Sequence, residues 1–157
     1  MSQWFECKVK YDRMMENGVQ KTVSEPYLVD ALSFTEAEAR ITDKMQPFIS
    51  GDFKVDAVKR VNLSDIFYDV TGDRWYKVKT NFITIDEKTA VEKRTASYQL
   101  VQASDFKGAL ATFMEGMKDT MADFEIASIV ETPIMDVFPA DLSETRADRE
   151  ARQKAQK

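Results

Sequence analysis

Four aspartates fall into two spaced pairs, Asp52 with Asp123 and Asp65 with Asp136. Two carboxylates brought together can share a proton or hold a hard metal ion. That would make a carboxylate-dependent enzyme, the weakest of three functions for which the chain can be read. The competing reading is local: aspartates at turns cap nearby backbone amides. The local reading is favoured, because other catalytic reagents are missing. There is no histidine, which removes the usual general base at neutral pH and the commonest transition-metal ligand. Cys7 is the only cysteine. It alternates with Phe5, Val9 and Tyr11 and is expected to be a buried small apolar residue, since no activating base is visible beside it. With 5 glycines, neither a phosphate-binding loop nor a dinucleotide fingerprint can be written on the chain. No calcium-loop spacing occurs. The expectation is a non-enzyme with no catalytic residue, no metal and no cofactor.

A second set of residues suggests binding. Trp4, Lys8 and Lys10 recur as Trp75, Lys77 and Lys79. On strands, these positions share the outer face of each copy. An open sheet face carrying aromatics and lysines can bind single-stranded nucleic acid, because bases stack on rings and phosphates meet ammonium groups. The net charge of −5 opposes broad attraction to polyanions. The favoured alternative puts the tryptophans in a protein interface, where aromatics are enriched, and leaves the lysines as solvated strand residues.

The elements that must position these residues follow from a repeat. A shift of about 71 or 72 residues lays Trp4-Phe5 on Trp75-Tyr76, Leu28-Val29 on Leu100-Val101, Phe34 on Phe106, Met45 on Met117 and Asp65-Ile66-Phe67 on Asp136-Val137-Phe138. Each copy begins with period-two alternation, the mark of a half-buried strand. Asn17-Gly18 suits a tight primed hairpin turn, and Asp86 to Thr89 forms a longer polar one. Second strands run from about Val19 to Val29 and from Val91 to Val101, with Pro26 marking a bulge or an edge. Ser33 and Asp105 are N-caps. They open helices whose apolar stripes are Phe34, Ala37, Ile41, Met45 and Phe48 in one copy, and Phe106, Ala109, Leu110, Phe113, Met114 and Met117 in the other. Met and Phe at this spacing are expected in the core. Third strands follow, and Ile66-Phe67 or Val137-Phe138 closes each copy.

The predicted fold is α+β: tandem duplicated β-β-α-β units forming antiparallel sheet or sheets, with one helix per unit packed on one face. Residues 1–70 are the first repeat and 71–140 the second, packed together as one compact domain. Residues 141–157 form a charged tail, disordered or a solvated helix.

Trp4 to Tyr11, Glu25 to Ala39 and Ile134 to Phe138 resemble a domain-of-unknown-function family of Bacteroidota and their phages. The resemblance covers about residues 3 to 139. It implies a cytoplasmic bacterial or phage-encoded protein and carries no activity. The N-terminus shows no secretory signal, no apolar run approaches the roughly 20 residues of a membrane span, and a lone cysteine fits a reducing compartment. The leading expectation is a binding or adaptor protein acting through protein–protein contacts, with a protein partner or a homodimer and no membrane. Single-stranded nucleic acid is the alternative partner.

Overall fold

The computed structural model describes residues 3–139, so the expected charged tail lies outside the described residues. The architecture is mixed α+β, and the described residues form eight strands in two four-stranded sheets and two α-helices. By contacts the described residues divide into two units, residues 3–61 with 134–139, and residues 62–133.

In the first unit, β1 (Gln3–Met14) and β2 (Gln20–Ala31) form an antiparallel hairpin. The connecting turn is not the two-residue primed turn expected at Asn17-Gly18. Gly18 N–H donates to Met15 O at 2.9 Å, Met15 N–H donates to Val19 O at 2.9 Å, and only Gly18 takes a positive φ, 81°. Asn17 instead uses its side-chain oxygen to accept from Val19 N–H. This is an i→i+3 turn closed by a left-handed residue, the next commonest hairpin solution. β3 (Phe53–Val61) pairs on the other side of β1 with a register shift between Lys8 and Val9. The bulge therefore lies there rather than at Pro26. Pro26 sits in an unbroken β1–β2 ladder, and its carbonyl accepts from Met135 N–H on the opposite side.

Helix α1 (Phe34–Met45) starts at Ser33, whose hydroxyl accepts from Glu36 N–H. It ends in a short 3-10 turn over Gln46–Phe48, where Pro47 interrupts the α-helical ladder. Ala37, Ile41 and Met45 bury against Phe5, Cys7, Val9, Tyr27 and Val29. Phe34 and Phe48 are exposed rather than in the core.

In the second unit, β5 (Arg74–Ile85) and β6 (Glu92–Ala103) repeat the hairpin, and β7 (Asp123–Thr132) repeats the outer strand, with a register shift between Lys79 and Thr80. Helix α2 (Phe106–Gly116) is capped by Asp105, which accepts from Gly108 N–H at 2.7 Å. Ala109, Phe113 and Met117 enter a core with Tyr76, Val78 and Val101.

The closing strands depart from expectation. β4 (Asp65–Phe67) follows β3 in sequence but pairs parallel with β6 in the second sheet. β8 (Val137–Phe138) follows β7 but pairs parallel with β2 in the first. The orders are β3-β1-β2-β8 and β4-β6-β5-β7. Each sheet is thus antiparallel over three strands and parallel at the fourth. The expected boundary at 70/71 does not coincide with the division by contacts, because the chain enters the second unit at residue 62. Phe67 packs edge-on to Phe113, and Phe138 stacks on Tyr27.

A polar side chain locks each closing segment, buried Arg40 in the first unit and half-buried Gln102 in the second. Arg40 donates to the Asp30 carbonyl and, at 2.7 Å, to the Pro139 carbonyl. In the second unit, Gln102 accepts from Asp69 N–H at 3.2 Å and donates to Gly72 O at 3.1 Å. Gly72 is required for this approach, since a Cβ there would lie 2.5 Å from the Ala103 backbone. Arg40→Leu removes a charged donor from buried carbonyls and is expected to cost about 2–4 kcal/mol in urea unfolding. Gly72→Ala forces backbone apart and is expected to lower the unfolding midpoint by an amount matching a loss of roughly 1–3 kcal/mol. A midpoint within error of wild type would contradict either assignment.

Candidate functional site

The Trp and Lys positions lie on the sheet face opposite each helix, as alternation requires. Their exposures differ. Trp75 is 3% exposed, with its ring edge-on to Tyr68 at 5.8 Å. Trp4 is half-buried. Leu28 and Leu100, on the same faces, are each 1% exposed. The lysine ends are more open: Lys8 and Lys77 are exposed, while Lys10 and Lys79 are half-buried. Lys77 Nζ stands 4.7 Å from the Tyr98 ring centroid. A buried indole presents no face on which a base can stack, so Trp75 serves packing in this arrangement.

The paired aspartates, Asp52, Asp65, Asp123 and Asp136, are all exposed. Asp136 accepts from Val137 N–H at 2.8 Å, a local capping contact at the start of β8. Among the described residues, no group of three His, Cys, Asp or Glu side chains converges as metal ligands. An open polar groove of about 660 Å³ lies between the end of α1 and the start of β3, lined by Glu38, Thr42, Gln46, Asp52 and Lys54. Its mixed charges and few apolar walls give it no anchor for a defined ligand.

A buried carboxylate that sequence reasoning passed over lies in β2. Glu25 accepts from Tyr11 Oη at 2.6 Å, from Arg13 Nη2 at 2.8 Å and from Tyr27 Oη at 3.5 Å. Its signal was present: Glu25 falls on the inward parity of Tyr27, Val29 and Ala31. Burial, and then the Glu25 carboxylate, push both tyrosine hydroxyls above their ordinary range. They therefore remain protonated donors at neutral pH, which suits a structural cluster and not a nucleophile. In the second sheet the place of Glu25 is taken by Ser97, which accepts from Gln99, and Gln99 Oε1 in turn accepts from Thr80 at 2.6 Å.

An exposed apolar row lies on α2. Five of this helix's apolar residues, with Met117 at its C-cap, form two parallel ridges, and Ala111 lies outside both. Ala109, Phe113 and Met117 face the sheet. Phe106, Leu110 and Met114, expected in the core, are 57%, 37% and 48% exposed. Six such positions span more of the helix circumference than one sheet face can cover. The corresponding ridge of α1 reads Phe34, Glu38 and Thr42. The two helices bury the same inner ridge, yet only α2 keeps an apolar outer one.

Residues 3–140 match a family described as Domain of unknown function (DUF4494), so the chain belongs to that family. No curated protein and no solved structure matches it. No helix among the described residues is long and apolar enough to cross a membrane.

Burial pushes the Cys7 thiol up to about 12, with Glu6 and Glu38 adding to the shift. The thiol therefore stays protonated in the folded protein at neutral pH and is expected to resist alkylation until the chain unfolds. Because the folded value is raised, its stabilising contribution is complete below about pH 9 and is lost as the pH climbs towards 12. Cys7→Val, which copies Val78 at the matching position, is expected to keep neutral-pH stability and soften the alkaline loss. Rapid native-state alkylation would show that the thiol is not enclosed.

Proposed function

We propose that this chain is a non-enzymatic interaction protein, cytoplasmic and encoded by Bacteroidota or their phages. It is built from a duplicated β-β-α-β unit, and it engages a protein partner through the outer ridge of α2. The observation that carries this reading is the contrast between Leu110 and Met114 in α2 and Glu38 and Thr42 in α1. A helix needs one apolar face to pack on a sheet, and α2 has a second. Fully burying a Leu, Phe or Met side chain is worth about 1.5–3 kcal/mol. Three partly exposed ones offset only part of the roughly 4–15 kcal/mol cost of association, so the contact needs further complementary groups. The reading of the Trp/Lys strands as a single-stranded nucleic-acid surface retains the open lysines, but it has no open indole at Trp75.

The test is site-specific photo-crosslinking in the host, with a benzophenone side chain replacing Leu110 in one strain and Glu38 in another. Defined protein adducts, identified by mass spectrometry, are expected from position 110 and not from position 38. Equal labelling from both positions, or none from 110, would remove the basis for assigning α2 as the docking surface.

A further inference from the structure

Paired strands set residues of one parity side by side, and in the first unit this brings three lysines together on the sheet face opposite α1. Lys10 lies directly opposite Lys54 in the β1–β3 ladder, and Lys8 stands two residues along β1 on the same face. The other neighbours are uncharged: Ser24 opposite Lys10 and Pro26 opposite Lys8 on β2, and Ala57 opposite Lys8 on β3. Lys8 and Lys54 are exposed, and Lys10 is half-buried. Lys8 and Lys10 make no ion pair with any described residue, and Lys54 meets the Asp56 carboxylate only at 3.9 Å. Acids border this patch: Glu6 lies beyond Lys8, and Asp12 and Asp52 share a shallow recess of about 370 Å³ with Lys10 and Lys54. The Asp12 carboxylate is engaged by Thr22 at 2.7 Å. Like charges directly opposite one another destabilise a strand pair. The second sheet avoids this at the matching positions, where Asn81 and Arg94 both donate to one Glu125 oxygen, at 3.4 and 2.8 Å. The fold therefore does not require two facing lysines, and a bound anion would offset their repulsion.

We infer that Lys8, Lys10 and Lys54 bind the phosphate group of a ligand on this face of the first sheet. Paired strands stand about 4.8 Å apart, and alternate residues of one strand about 6.7 Å, so three flexible ammonium groups can converge on one tetrahedral oxyanion. A phosphate offers enough oxygens and charge to engage all three, whereas a single carboxylate offers two oxygens and one charge. Lysine meets such a group as a point charge and needs no planar fork. The patch itself holds no aromatic ring, so charge and not base stacking holds the ligand. A small phosphate ester and the backbone of a nucleic-acid strand both carry this chemistry. Exposed ion pairs are individually weak and the bordering acids lower the local potential, so binding is weak and sensitive to salt. The site belongs to the first unit and does not depend on what α2 meets.

NMR of the full chain, titrated with inorganic phosphate to roughly 50 mM at constant ionic strength and about pH 8, tests this directly. Saturable shifts of the Lys8, Lys10 and Lys54 side chains are expected, with a Kd on the order of 1–10 mM. Lys10→Gln and Lys54→Gln are each expected to weaken binding roughly fivefold. Lys10→Gln also relieves the like-charge pair, so its urea midpoint at low salt is expected to be no lower than wild type. Lys77→Gln, at an exposed lysine of the second sheet, is expected to leave phosphate binding unchanged. A short oligodeoxynucleotide without a terminal phosphate separates the two sources. Shifts of the same three lysines that vanish at high salt assign a nucleic-acid backbone, and no shift beside saturable phosphate binding assigns a small phosphate ester. Phosphate shifts that rise without saturating would overturn the site, as would equal shifts at Lys77 or wild-type affinity in both glutamine variants. A lowered midpoint for Lys10→Gln would also count against it, because the facing lysines would then not be a strained pair.

Discussion

Each sheet depends on a strand that its own contiguous run of sequence does not provide. β1, β2 and β3 form a three-stranded sheet with α1 on one face, but the strand that covers the free edge of β2 is β8, after the whole second unit. The reciprocal strand, β4, leaves the first run and covers the free edge of β6. The exchanged segments are only two and three residues long. Their ladder bonds alone cannot hold them, and side chains do most of the fastening. Phe138 stacks on Tyr27 at 6.0 Å, Phe67 lies against Phe113 at 6.1 Å, and Arg40 and Gln102 grip the backbone beyond. Loop-closure entropy rises slowly with length, so returning to β2 from residue 134 costs little more than a shorter path would.

The two sheets solve a shared problem of register with different chemistry. A strand that slips by one residue turns its core face outward. Polar groups set within an apolar row oppose such slips, because only one register satisfies them. In the first sheet this role falls to Glu25, with Tyr11, Arg13 and Tyr27. In the second it falls to Gln99, with Thr80 and Ser97. Glu25 is held by a guanidinium and two hydroxyls, so its charge is balanced where it is buried. Gln99 needs no counter-ion and is only 1% exposed. The first cluster reaches the solvent edge through Arg13, and the second through Ser97, whose hydroxyl meets that of exposed Ser64.

Much of this was legible in the sequence, and the parts that were not share a cause. Period-two alternation located β1, β2, β5 and β6 to within a few residues, because a half-buried strand imposes that pattern on every side chain. Ser33 and Asp105 marked the helix starts, because orphan N–H groups require acceptors there. The closing strands were placed in the sequence as the end of each copy, whereas each pairs with the second strand of the other copy. Two or three residues carry no periodicity, and local pattern says nothing of which edge they meet. The hairpin turn was misread because Asn17 tolerates a positive φ without requiring one. Of the expected binding face, Trp75 is enclosed, because a period-two pattern separates the two faces of a strand and does not reveal which stretch of the outer face is covered.

The outer ridge of α2 is the clearest case of a pattern with two meanings. Phe106, Leu110 and Met114 repeat at the same interval as Ala109, Phe113 and Met117, offset by three residues. Periodicity alone cannot choose between the ridges, and together they read as one broad core stripe. The matching helix separates them. α1 packs on its sheet through Ala37, Ile41 and Met45 and places Glu38 and Thr42 where α2 has Leu110 and Met114. The fold is therefore satisfied by polar side chains at those positions. Leu110 and Met114 are 37% and 48% exposed, so each leaves apolar surface open that raises the risk of non-specific association. That contrast is why the proposed docking surface is placed on α2 rather than on the tryptophan strands.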